Sequence, residues 1–154
     1  MSQFIHQFYG YYRLASQGLD KLHSIAVLVI RLYIAKVFFW AGLTKIQDWD
    51  TTLFLFEEEY QVPFIPFEAA AYLGTFGELV FPVLLAVGLM SRFAALSLFV
   101  VNVVAVISLA DIAPAAMYLH VLWGVLLAQV VVYGGGLLSL DKLLKVKWLQ
   151  RSIR

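Results

Sequence analysis

Residues 93–110 read FAALSLFVVNVVAVISLA and, after the joint Asp111–Pro114, residues 115–133 read AAMYLHVLWGVLLAQVVVY. These two runs decide the fold. A bilayer core of about 30 Å takes about 20 helical residues, so each run is long enough to cross one as a helix. Their valine content also suits buried strands, but they are too long and uninterrupted, and a barrel would need many more strands. Working back toward the N-terminus, Ser91–Arg92 is a second short joint, preceded by the apolar run 69–90, and residues 25–43 make a fourth run. The last three runs are joined so tightly that they must be antiparallel neighbours. The expected fold is all-α: an integral membrane four-helix bundle, one domain over residues 1–154.

Composition points the same way. The chain is 62% hydrophobic and 14% charged, whereas soluble domains carry about 45–50% and about 25%. Lipid must solvate much of this surface. Cysteine is absent, which removes disulfides, thiolate nucleophiles and iron–sulfur ligation. No signal peptide is evident, since Phe4, Phe8, Tyr11 and Tyr12 are mixed with Arg13, Asp20 and Lys21. There is no phosphate loop, no HExxH and no Ser/His/Asp set, so no catalytic residue is assigned. Nothing indicates nucleic acid as a partner.

Charge placement sets the expected orientation. Arg13 and Lys21 precede the first run, Arg92 lies in the second joint, and Lys142, Lys145, Lys147, Arg151 and Arg154 follow the last. The opposite side has only Lys45, against Asp48, Asp50, Glu57, Glu58, Glu59, Glu68 and Asp111. Basic loops stay inside, so both chain ends are expected in the cytoplasm. The outer loop 44–67 should hold a short interfacial helix capped by Asp50 or Thr51. Leu53, Phe56 and Tyr60 share its apolar face, which should rest on the headgroups, and Val62–Pro63 ends it. At the other end, Gly134–Gly136 breaks the helix and Ser139 can cap an amphipathic tail helix from Leu140 to about Leu149, held by anionic lipid.

Polar residues inside the runs are the candidate site: Arg31, Lys36, Glu78, Asn102 and His120. Arg31, Ala35, Phe38, Gly42 and Lys45 lie within about 40° of one line on a helix, and Ala71, Gly74, Glu78 and Pro82 form a matching stripe. Pro82 also leaves the Glu78 carbonyl without its helical donor. Arg31 suits Glu78 by face and Lys36 suits it by depth, and the residues leave that choice open. Glu78 is either a structural counter-ion or a group that handles a proton or ligand. His120 shares a face with Trp123 and Gly124 and reads more simply as a hydrogen-bonded packing residue than as a ligand. Glu57–Glu59 cannot converge on a metal, because successive helical residues diverge by about 100°. No metal site is assigned.

The ordered set Arg31-Leu32, Ala41-Gly42-Leu43-Thr44-Lys45, Gly77-Glu78-Leu79, Gly88-Leu89-Met90-Ser91-Arg92, then Gly134-Gly135-Gly136 with Ser139-Leu140-Asp141, resembles the DoxX family. The family often has Gly-Pro-Gly where this chain has three glycines. The resemblance implies a four-helix bacterial or archaeal membrane protein and singles out Arg31, Gly42, Lys45, Glu78 and Arg92 without giving them roles. Some relatives are small subunits of a thiosulfate:quinone oxidoreductase, and others are linked to oxidative-stress complexes. Trp49-Asp50-Thr51-Thr52 with Tyr60-Gln61-Val62-Pro63 is further similar to a subgroup encoded beside iron-dependent peptide-modifying enzymes implicated in copper handling.

The leading expectation is an accessory protein of the bacterial inner membrane, not catalytic alone, serving a redox- or metal-stress complex. Its partners would be the bilayer and a membrane or periplasmic protein, with homo-oligomers left open. The rival is a quinone- or lipid-binding subunit of a membrane oxidoreductase, and quinone is the one cofactor considered. A small proton-coupled transporter, with Glu78 as carrier, ranks last.

Overall fold

The computed structural model describes residues 2–145, with side chains from Gln7 onward apart from Asp20 and Lys21. Among the described residues five helices follow one another, α1 (Ser2–Gln47), α2 (Trp49–Glu58), α3 (Phe67–Val87), α4 (Ser91–Ile107) and α5 (Pro114–Tyr133), and a further helical stretch, 140–145, comes after them. No strand occurs among the described residues. The chain is all-α: α1 packs mainly on α3, α3 on α4 and α4 on α5, with α2 lying against the first half of α3. By length and composition α1, α3 and α5 are able to cross a membrane. The apolar α4 is shorter, 17 residues, or about 25 Å.

Several boundaries differ from the sequence expectation for identifiable reasons. α1 begins at Ser2 rather than near residue 25, because no proline interrupts the approach and two isolated glycines do not end a helix. α3 stops at Val87, where Gly88 turns left-handed at φ +74° and donates its N–H to the Leu84 and Leu85 carbonyls. The cap of α2 is Asp48, not Asp50 or Thr51, and it accepts from the Thr51 N–H at 3.0 Å and the Thr51 hydroxyl at 2.7 Å. Those two bonds, hydroxyl first, hold the Asp48 carboxyl below its usual range. The apolar face of α2 does not rest on headgroups. Phe56 is buried beside Ala70 and Ala71, over Gly74, and takes Tyr60 edge-on at 5.0 Å. Glu57–Glu59 remain exposed. Leu140–Lys145 is helical, while the rest of the expected tail helix, with Lys147, Arg151 and Arg154, lies outside the described residues.

The core joins Ile34 and Phe38 of α1, Leu85 of α3, Ala94, Ala95 and Leu98 of α4, and Leu127 and Val130 of α5. In lipid no hydrophobic drive presses helices together, so close contact at small residues does that work. Gly42 is the tightest of these points. A Cβ there would lie 2.9 Å from the Leu79 side chain and 3.1 Å from the Glu78 backbone. Gly42→Ala should therefore lower the melting temperature in detergent, with a loss of about 1–3 kcal/mol from overpacking. Gly10→Ala, with nothing within 4 Å, should leave it unchanged or raise it slightly, as expected for a helix-interior glycine.

Candidate functional site

Gly42 fixes the register of α1 against α3, and the register fixes the partner of Glu78. Lys45, one turn beyond Gly42, extends back along α3, and its Nζ lies 2.6 Å from Glu78 Oε2. Neither Arg31 nor Lys36 makes this contact. The sequence comparison of those two measured depth at the Cα. A lysine stem can reach inward from a helix end as readily as it snorkels outward. The pair is largely enclosed, its side chains 22% and 11% exposed.

Among the described residues, one buried polar atom near this pair has no partner, the Thr75 hydroxyl. Thr75 is on the same α3 face one turn earlier and is 5% exposed. Tyr60 closes in from the loop: burial first, then the charges of Glu59 and Glu78, push its phenol above the usual range.

Asn102 and His120 form a separate pair between α4 and α5. The Asn102 amide donates to the His120 carbonyl at 2.9 Å, which points Asn102 Oδ1 at His120 Nδ1, 2.8 Å away. With that amide orientation the network places the ring proton on Nδ1, and Nε2 is left without a described partner. His120 also meets Trp123 edge-on at 5.0 Å, and Trp123 donates to the Tyr33 hydroxyl at 3.2 Å. Among the described residues no three His, Cys, Asp or Glu side chains gather as metal ligands would.

Arg31 belongs to neither pair. It is 1% exposed at the end of α3, about 11 Å along that helix from the level of Glu78. Its Nε donates to the Leu85 carbonyl at 2.8 Å and Nη2 to Ala86 at 2.7 Å, while Nη1 donates to Gly135 at 2.7 Å and Leu138 at 2.9 Å. Next to it, Asp141 accepts from the N–H groups of Met90 and Ser91 at 2.7 and 2.8 Å and from the Ser91 hydroxyl at 2.7 Å. This carboxylate caps α4 from the far end of the chain. Arg92 donates to the Val132 carbonyl at the end of α5, at 3.1 Å. Lys36, the fifth candidate, is exposed on the outside of α1.

The structure thus brings Glu78 to Lys45 and Asn102 to His120, and separates Arg31 and Lys36 from both. Lys45 was legible in the Gly42–Lys45 stripe but was counted as a loop charge. Thr75 gave no signal, since a threonine in a helix ordinarily bonds its own backbone. Asp141 stood in the Ser139-Leu140-Asp141 motif without a partner to suggest itself, because Met90 and Ser91 lie so far back in sequence.

A family model for DoxX matches residues 26–111. The chain belongs to the DoxX family. A protein of Haemophilus influenzae, itself uncharacterized, is 33% identical to this DoxX chain over 131 residues, covering 79% of this chain and 85% of that one. No solved structure matches. The matched segment takes in Arg31, Gly42, Lys45, Glu78, Arg92 and Asn102, and ends before His120 and Asp141.

Two outcomes test this geometry. Glu78→Gln leaves Lys45 charged and unpaired in a poorly solvating site, a loss of about 3–5 kcal/mol for a buried pair. Exchanging the partners, Lys45→Glu with Glu78→Lys, should recover part of the melting temperature in detergent, whereas Arg31→Glu with Glu78→Arg should not. At the basic end, burial raises the Asp141 carboxyl, but the bonds from Ser91 and Met90 and the Arg31 charge together hold it below 3.8. Between its folded and unfolded values the unfolded chain binds more protons, so this stabilisation is full at neutral pH and fades as pH falls through and below about 4. The melting-temperature gap between the parent protein and Asp141→Asn should be widest near neutrality and close in acid.

Proposed function

We propose that this DoxX protein is a non-catalytic accessory subunit of a bacterial inner-membrane complex, crossing the bilayer four times with both ends in the cytoplasm and docking a membrane or periplasmic protein on its outer loop. The redox- or metal-stress setting comes from the family resemblance. Orientation follows from charge, with Arg92, Lys142 and Lys145 at one end and Asp50, Glu57–Glu59 and Asp111 at the other.

The observation that carries the docking role is Phe64. It is 105% exposed and holds a left-handed backbone, φ +66°, which costs a residue with a Cβ about 1–2 kcal/mol. Nothing within the fold compensates an aromatic side chain presented in that way. Ties on either side anchor the loop, which lowers the ordering cost of binding. Gln61 donates to the Ser108 carbonyl at 2.8 Å, and the Thr52 hydroxyl bridges the Lys45 and Asp48 carbonyls at 3.0 and 2.9 Å. Trp49 packs on Tyr72 at 4.7 Å. Ile65, Phe54, Glu57 and Glu58 are also exposed in this region of the chain. A second reading, a quinone or similar lipid-like molecule held between the helices, is favoured by the unpartnered Thr75 hydroxyl beside Glu78. Lipid extracts of the purified protein would contain such a molecule in stoichiometric amount.

The chain has no cysteine, so Phe64→Cys creates a single reactive position. An impermeant maleimide should label it from outside intact spheroplasts, and a photo-crosslinking maleimide should capture one protein species. Phe64→Gly should abolish the corresponding pull-down while raising stability by about 1 kcal/mol, because the backbone strain is relieved. Crosslinks to lipid alone would overturn the docking role, and labelling only after lysis would overturn the orientation.

A further inference from the structure

The exposed faces of α1 and α3 leave a groove of about 340 Å³ between them. Ala35 and Pro82 form its floor, and Leu32, Phe39, Val83 and Val87 stand along its sides. Small buried residues flanked by larger exposed ones leave an open apolar groove that a hydrocarbon chain can lie against. The lining is apolar except at two side chains one helical turn apart, Lys36 and Trp40. Both are exposed, and among the described residues neither the Lys36 ammonium nor the Trp40 indole N–H has a hydrogen-bond or ion-pair partner.

Two unpartnered donors on a lipid-facing surface are costly unless lipid supplies the acceptors. Their depth says which part of a lipid can do so. Lys36 lies about 7 Å along α1 from Arg31, whose guanidinium sits on the last-turn carbonyls of α3. That is within reach of the headgroup layer for an extended lysine stem. The basic groups Arg92 and Lys142 lie at the same end of the bundle, so its leaflet is already attractive to anions.

We propose that the α1–α3 groove is a binding site for an anionic phospholipid of the leaflet at the basic end, its phosphate held by Lys36 and one acyl chain lying in the groove along Trp40. The proposal is independent of the docking role of the outer loop, because the groove is lined by residues 32–40 of α1 and 82–87 of α3, none of them in that loop, and needs no protein partner.

Trp40 makes the site directly readable. The full chain is reconstituted with brominated phosphatidylglycerol or brominated phosphatidylcholine, and quenching of the Trp40-dependent emission, defined by subtraction of Trp40→Phe, is followed in each. Phosphatidylglycerol should be preferred roughly fivefold, the order expected for one lysine near anionic headgroups, and Lys36→Met should remove the preference. Lys36 is exposed, so this variant should fold. Val83→Trp, which fills the groove from its exposed rim, should reduce retention of phosphatidylglycerol through detergent purification, read by native mass spectrometry. Equal quenching by the two lipids in the parent protein, or a preference that survives Lys36→Met, would overturn the proposal. So would a neutral lipid retained at one per chain, or a dimer sealed through α1 and α3 that excludes lipid.

Discussion

Four carbonyl oxygens from two separate stretches of chain converge on one guanidinium. The last turn of any helix leaves carbonyls without donors, and at the edge of a bilayer those groups cannot count on water. Arg31 answers this for Leu85 and Ala86 of α3 and, with the other arm of its fork, for Gly135 and Leu138 beyond α5. One side chain of α1 therefore fixes where α3 ends and where the chain leaves α5. The surrounding glycines follow from that constraint. A Cβ at Gly88 would collide with the guanidinium itself, and one at Gly135 with the Ser91 hydroxyl. Asp141 then extends the knot to α4, bonding both of its first free N–H groups, where a carboxylate is also favoured by the helix dipole. Its own N–H returns to the Gly88 carbonyl at 3.0 Å.

This arrangement explains which parts of the protein were legible in the sequence. Helices α3, α4 and α5 announce themselves through uninterrupted apolar runs and short joints, features local to each run. The small-residue stripe through Gly42 also marked the face α1 turns to α3, since close approach needs an absent side chain at a known helical angle. The ion pair was harder, because both candidate cations were judged by Cα position while the real partner reached back from the helix end. Arg31 was misread for a different reason. A buried arginine suggests a carboxylate, yet its planar five-donor fork serves backbone carbonyls equally well. A single sequence cannot show that those carbonyls will be brought together. Asp141 and Ser91 belong to the same class of contact, formed between segments at opposite ends of the bundle's second half.

The two ends of the bundle are built on different logic. The basic end is held by an internal network in which Arg31, Asp141, Ser91 and Arg92 find their partners inside the fold. The acidic end is braced from outside, by Asp48 capping α2, by Thr52 stitching α2 to α1 and by Gln61 tying the loop to α4. Those contacts use backbone and short side chains, and so leave the longer ones facing out. A loop that merely connected α1 to α3 would not need three independent ties, and it would relax a strained aromatic at its tip.

What distinguishes candidate functional groups here is therefore neither burial nor charge but the lack of a partner. Arg31, Asn102, Ser139 and Asp141 look functional among the polar residues of so apolar a chain, yet each finds its hydrogen bonds inside the fold. Subtracting them leaves, among the described residues, the Thr75 hydroxyl and His120 Nε2 inside the bundle, Lys36 and Trp40 on its outer face, and Phe64 at the loop tip. Folded chains satisfy buried polar groups almost completely and avoid strained backbone without compensation. The exceptions that remain are thus the basis of the proposed contacts with molecules outside the chain. They lie at separate places in the fold, and the proposed subunit role gives each a different neighbour: a bound molecule between the helices, lipid on the outer face of α1 and a protein at the loop tip.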